Sequence, residues 1–315
     1  MAENVASVIR DAQFRLGATV EALHMTDIVT LPVTIWDQHI AEAEQDLAVD
    51  VLERGDVLFF PQLSFPMQED DGYLLSPTVA GDGKNVSLDP ATRSLRGSRG
   101  NDVELRGLKN MMQRFAASSL GLIRKLLPCY ETGLEQARTS FRPVEIAGRR
   151  TSWRKDDTRL HVDSFPSSPI QGKRILRVFS NVNPRGESRD WRLGEPFEQV
   201  ARRFLPALPA PLWGSARVLN LLGITKRHRT AYDHYMLQLH DRMKADLEYQ
   251  SQAAQRAYAF PGGSTWMVYS DLVSHAAMRG QYALEQTYHL PVSAMRDPSR
   301  APLRILEKLL GRELT

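Results

Sequence analysis

Cysteine is almost absent: the 315-residue chain carries one, Cys129. A single thiol cannot close an intramolecular disulfide, and a cysteine-built zinc cluster is excluded. Long hydrophobic runs are absent too, and nothing approaches the ~18 apolar residues of a membrane-spanning helix. The leading MAENVASVIRDAQFRLG lacks the basic start and apolar core of a secretory signal, so a cytoplasmic location is expected. Lysine is scarce, with 8 Lys against 32 Arg at a formal net charge of +3. That excess fits GC-rich coding, or recognition of carboxylate and phosphate by a planar fork. No basic run is interleaved with aromatics in the manner of single-strand nucleic-acid binders, so nucleic acid is not an expected partner. What remains is the balance of a globular protein, 42% hydrophobic and 24% charged.

Residues 51–62, VLERGDVLFFPQ, read as a strand beyond a Gly-Asp turn. Residues 80–100, AGDGKNVSLDPATRSLRGSRG, read as an exposed loop. Next, Val103, Leu105, Leu108, Met111, Met112 and Phe115 recur at helical spacing, with Asn101 or Asp102 as the cap. RILRVFSNVNP is β-branched and aromatic and stops at Pro184. EPFEQVARRFL and TAYDHYMLQLHDRMKADLEYQ are helical, which makes about 196–255 a helical insertion. PGGSTWMVYSDLVSHAA turns at Pro-Gly-Gly into a strand ended by His275, and YALEQTYHLPV alternates as another. Two β-rich blocks flanked by helices predict an α+β chain with a mainly β core. The expected form is a double-stranded β-helix (a cupin-like jelly roll) with flanking and N-terminal helices, in one domain over 1–315. The basic, amphipathic PSRAPLRILEKLLGREL is either a packed helix or one resting on an anionic leaflet.

In TRLHVDSFPS, His161 and Asp163 sit two apart, the spacing at which strand side chains share a face. The pair alone is weak evidence for a metal. The other histidines are His24, His39, His228, His234, His240, His275 and His289. His234 and His240 lie about 600° of helical rotation apart, on different faces, and read as ordinary helix residues. His228 lies in the charged TKRHRT. His275 stands out, because a jelly roll needs ligands from two separated β-blocks to close a site between its sheets. Two His and one carboxylate suit Fe(II) with open coordination positions, whereas zinc more often takes a compact His and Cys tetrahedron. An iron oxygenase of this kind uses 2-oxoglutarate and needs a cation for the distal carboxylate. YALEQTYHL has none, and Arg279 reads as a turn residue. GKRILRVF offers Lys173, Arg174 and Arg177. Arg174 and Arg177 are odd-spaced, so at most one points inward, where an unpaired charge is costly.

GKRILRVF after the His-x-Asp, with Thr158 three before the His, resembles the asparaginyl-hydroxylase and JmjC branch of the 2-oxoglutarate oxygenases. In that branch the Thr and the basic strand residue hold the cosubstrate. Matching Gly172 and Phe179 favours Arg174, with Arg177 the alternative if the register shifts. The longer blocks HVDSFPSSPIQGKRILRVFSNVNP, APLWGSARVLNLLGITKRHRTAYDHYMLQLHDRMKAD and GSTWMVYSDLVSHAAMRGQYALEQTYHLP resemble the Kdo 3-hydroxylases over most of the chain. The resemblance implies hydroxylation at carbon 3 of Kdo on a lipid A precursor, giving Ko, succinate and CO2. It implies Fe(II) on His161, Asp163 and His275, with 2-oxoglutarate and O2 as cosubstrates. Arg is the natural reader of an anionic sugar on a phosphorylated lipid, and RRTSWRKDDTR offers Arg154 and Arg159 just ahead of the first ligand. A peripheral place at the cytoplasmic face of the inner membrane follows. Two other readings stay open: a JmjC-like protein side-chain hydroxylase, and a jelly roll that grips a sugar without chemistry.

Overall fold

The computed structural model describes residues 25–81, 83–211 and 220–315. The leading segment with His24, and most of APLWGSARVLN, lie outside the described residues. In chain order the elements are β1 (Ile28–Thr30), α1 (Glu42–Arg54), β2 (Val57–Phe60), β3 (Val86–Leu88), β4 (Leu95–Arg96) and α2 (Asp102–Leu126). Then come β5 (Glu135–Arg142), β6 (Arg174–Asn181), β7 (Arg189–Pro196), α3 (Phe197–Phe204), α4 (Ala231–Ala245) and α5 (Leu247–Gln252). The chain ends with β8 (Arg256–Phe260), β9 (Thr265–Tyr269), β10 (Val273–Arg279), β11 (Ala283–Leu290) and α6 (Pro302–Leu310).

Eight strands form one sheet in the order β1-β2-β9-β6-β11-β5-β3-β4, and three form a second, β10-β7-β8. Only β1 and β2 run parallel among these pairings; β6, β9 and β11 pair antiparallel. The sheets face each other across an apolar layer. Phe59, Phe179, Trp266 and Val268 from the large sheet meet Trp191, Leu193, Phe260, Val273 and Ala277 from the small one. Phe260 stacks on Trp266 at 4.2 Å between centroids, and Phe179 on Trp266 at 5.2 Å. The other face of the large sheet is covered by α1 and α2. There Leu176, Val178, Met267, Tyr269, Leu284 and Tyr288 join Met111, Met112 and Phe115 in one cluster. Because the central strands are buried on both faces, β6 is buried at every residue. Alternation then fixes direction: Ile175, Arg177 and Phe179 face the small sheet, while Arg174, Leu176 and Val178 face the helices.

α2 begins with a capping box, the Asn101 side chain accepting from Val103 N and Glu104 N while Glu104 accepts from Asn101 N. Its apolar stripe starts at Leu108; Val103, expected on that face, is 69% exposed. Five residues of a 3.6-residue helix turn Val103 about 140° away from Leu108. Two other expectations need correction. The 80–100 segment is not all loop, since β3 and β4 pair there at the edge of the large sheet. The stretch ending at His275 is not one strand. It breaks at Ser270–Leu272, so β9 belongs to the large sheet and β10 to the small one. α6 turns Pro302, Leu303 and Leu306 into the core. Ile305, Leu309 and Leu310 are partly buried against the same core. Among the described residues no helix is long and apolar enough to cross a membrane.

Candidate metal centre

Backbone pairing brings the two distant segments together. His161 N donates to His275 O at 3.0 Å and His275 N to His161 O at 2.9 Å, so the chain ahead of Asp163 runs beside β10. Asp163 N donates to Ser270 O at 2.8 Å, which ties Asp163 to the β9–β10 turn. One ligand atom each from His161, Asp163 and His275 lies within 4.8 Å of the others.

Ring orientation is fixed by backbone carbonyls. His161 Nδ1 lies 2.7 Å from Arg159 O, and His275 Nδ1 lies 2.8 Å from Val273 O. A carbonyl only accepts, so both Nδ1 atoms carry the proton and both Nε2 lone pairs are left for a ligand. Burial holds His161 well below the usual imidazole range, and the nearby Lys244 ammonium and His275 push the same way. Burial likewise lowers His275. Burial works to raise the Asp163 carboxyl, but the Arg177 guanidinium, His275 and a hydrogen bond from Ser270 together outweigh it and hold Asp163 at about 2. Two neutral imidazoles and one carboxylate make the donor set that ferrous iron takes in oxygenases, so these residues fit that ion. Trp191 stacks on the His275 ring at 5.2 Å between centroids.

Arg177 reaches Asp163 at 3.0 Å and Glu285 at 3.1 Å, and Glu285 in turn pairs with Arg142. Arg177 and Arg142 line a cavity of ≈ 450 Å³ with Phe165, Glu285, Thr287 and His289. Arg174, the favoured cosubstrate cation, is not there. It is fully buried on the helix-facing side of β6, where Nε donates to Asp271 Oδ2 at 2.7 Å and the guanidinium lies 3.8 Å from the Tyr269 ring centroid. The reason is parity: Phe179 faces inward, and only odd-numbered residues of β6 share its face. Thr158 donates its hydroxyl to Asp156 at 2.7 Å and does not line the cavity. Arg154 is exposed, over the Trp153 ring and 3.0 Å from Asp241. Arg159 is held by Asp156 and by the Lys244 carbonyl.

Some neighbours were missed. His240, read as an ordinary helix residue, sets its ring edge-on to His161 at 5.3 Å. Helical spacing cannot reveal which side of α4 meets the triad. Glu285 was legible, as an acid sharing the Thr287 and His289 face of an alternating strand.

A family model described as 3-deoxy-D-manno-oct-2-ulosonic acid (Kdo) hydroxylase matches residues 35–313. Among solved structures, the Kdo hydroxylase KdoO, a non-heme Fe(II) alphaketoglutarate dependent dioxygenase, is similar in several states. Its complex with alphaketoglutarate and Fe(III) has 48% identity and a TM-score of 0.89, covering 92% of this chain and 98% of that one. Its apo structure has 49% identity and a TM-score of 0.89, covering 92% and 97%. Its cobalt(II) complex has 49% identity and a TM-score of 0.89, covering 91% and 97%. Comparison with curated proteins finds no match.

Proposed function

The chain belongs to the Kdo hydroxylase family, and on that premise we propose that it hydroxylates carbon 3 of Kdo on a lipid A precursor. The products are Ko, succinate and CO2. The protein is an Fe(II)- and 2-oxoglutarate-dependent dioxygenase, in which the bound metal supplies the oxidising chemistry. The observation that carries the reading is the meeting of His161, Asp163 and His275 with two Nε2 atoms and a carboxylate turned to one point.

His161, Asp163 and His275 hold the metal. The Arg159 and Val273 carbonyls fix both imidazole tautomers, and Arg177 keeps Asp163 ionised. Arg177 also takes the distal carboxylate of 2-oxoglutarate, as the buried cation on the inner face of β6 that lines the cavity. Trp191 and Phe165 exclude water around the triad. Arg154 is exposed and meets the substrate at the rim, while Arg159 and Thr158 order the loop that carries His161. We read the facing sheets as a jelly roll, the segment at His161 being the small sheet's outer rung, in one domain over 1–315 with 196–255 inserted. The substrate places the reaction at the cytoplasmic face of the inner membrane. The test is anaerobic Fe(II) titration, followed by mass spectrometry of a Kdo-bearing lipid A precursor incubated with 2-oxoglutarate and air. One metal per chain and one added oxygen are expected, with both lost in His275→Ala. A His275→Ala protein that still binds one metal and oxygenates the lipid overturns the assignment.

A further inference from the structure

The substrate's own chemistry asks for a cation close to the triad. In a 3-deoxy-D-manno-oct-2-ulosonic acid the carboxylate is carbon 1 and the reacting methylene is carbon 3, with one carbon between them. Whatever holds carbon 3 at the metal position therefore holds a carboxylate within a few ångströms of it. A carboxylate taken out of water is costly unless a cation meets it. Arg142 and Arg177 line the cavity given above to 2-oxoglutarate, and Arg189 is buried beside Arg142. These arginines stand on the cosubstrate's side. Arg154 is exposed, and Arg159 is tied to Asp156 and to the Lys244 carbonyl.

α4 supplies another cation. His240 and Lys244 are four residues apart on it and share a face. His240 stands edge-on to His161 at 5.3 Å between centroids, so that face meets the metal centre. Lys244 is 2% exposed. After burial, its ammonium is the largest influence holding His161 low. An ammonium carries three N–H groups, and this one donates to the Arg154 carbonyl at 3.2 Å. Burial pushes Lys244 itself down, against the pull of Asp157, Asp163, Asp156 and Asp241. None of the four is in ion-pair contact with it among the described residues, because each has other partners. Asp157 pairs with Lys84 and Arg149, Asp163 with Arg177, Asp156 with Arg159, and Asp241 with Arg154 and His240. A buried ammonium with donors to spare is explained by an acceptor that arrives with a ligand.

We propose that Lys244 reads the sugar's acid group, its ammonium pairing with the carbon 1 carboxylate and so orienting carbon 3 toward His161, Asp163 and His275. This rests on the Kdo reading above. The test is Lys244→Gln, which keeps a donor for the Arg154 carbonyl and removes the charge. Lys244→Met is made beside it and answers the question where the Gln variant does not fold. The probes are a synthetic Kdo glycoside as the free acid and as its methyl ester, bound anaerobically with Co(II) and 2-oxoglutarate present. The parent should prefer the acid to the ester by roughly tenfold or more, the scale of a charged hydrogen bond. The variant should lose that preference by weakening the acid alone, with the ester and 2-oxoglutarate bound as tightly as by the parent. A lysine that only orders the Arg154 loop would weaken acid and ester alike, and that result overturns the inference. So does a variant that still prefers the acid, one whose weakened ligand is 2-oxoglutarate, a parent indifferent between acid and ester, or the failure of both variants to fold. A parent that binds neither glycoside overturns the Kdo reading itself, and the inference falls with it.

Discussion

On β6, three residues separate an arginine that faces Asp163 from one that faces Asp271. Arg177 joins Asp163 and Glu285 at the cavity floor, whereas Arg174 joins Asp271 and Tyr269 beneath the helices. Substituting each with Met should separate the two roles. If Arg177 takes the distal carboxylate of the cosubstrate as proposed, Arg177→Met removes a charged hydrogen bond of about 1.5–3 kcal/mol, so 2-oxoglutarate should bind roughly ten- to a hundredfold more weakly. Arg174→Met leaves Asp271 buried and uncompensated. It should cost about 3–5 kcal/mol of stability and leave 2-oxoglutarate affinity near the parent's in the protein that folds. The measurements are calorimetric affinity at saturating metal and urea unfolding. Weakened cosubstrate binding in Arg174→Met alone would reverse the assignment. The sequence offered both arginines and the rule that they face opposite ways. It could not say which faced in, because alternation gives only opposite faces, and which face meets the small sheet is set by packing.

Elements with a strong local signal were legible in the sequence. α2 announced itself through Asn101 and the Leu108 to Phe115 spacing, and Gly55 was marked as the turn into β2, where it sits at φ +92. Asn101 accepts from two backbone amides, so Asn101→Ala should destabilise the protein by about 1 kcal/mol. Metal affinity should be unchanged, since α2 covers the outer face of the large sheet. Loss of metal binding in that variant would mean that α2 helps to shape the site. The β9–β10 break was less legible. Ser270 and Asp271 sit inside an apolar run, and what turns the chain is a long-range contact: Asp271 accepts from Arg174 Nε and Ile175 N. The triad itself was readable because its residue types have few other uses together. Its neighbour His240 was not, because its contact with His161 depends on which side of α4 packs against the site.

The whole molecule shields His161, His275 and His289 from water, and that burial has a pH signature. Burial lowers His161, His275 and His289 below the usual imidazole range. In the unfolded chain each titrates near ~6.5. Below that pH the unfolded chain takes up protons that the folded chain refuses, so acidification favours unfolding. The contribution is therefore complete above pH ~6.5 and is lost as the pH falls. Each imidazole adds up to about 1.4 kcal/mol per pH unit while in its window. Asp163 acts in a separate window. Held at about 2, it keeps its contribution until the pH falls below the ordinary aspartate value of ~3.9. Urea unfolding of the metal-free protein should thus show constant stability from pH 7.5 to about 6.5 and a steepening loss towards pH 5. Co(II) at a hundredfold excess over its dissociation constant should add about 2.7 kcal/mol. That increment should outlast the pH at which ordinary imidazoles protonate, because burial lowers both ligand imidazoles. In His161→Ala the acid slope should shrink and the Co(II) increment disappear. A metal-free protein equally stable at pH 7.5 and 5.5 would mean that water reaches all three rings. The sheets would then not close over the triad, and the protected site that the hydroxylation chemistry requires would be lost with them.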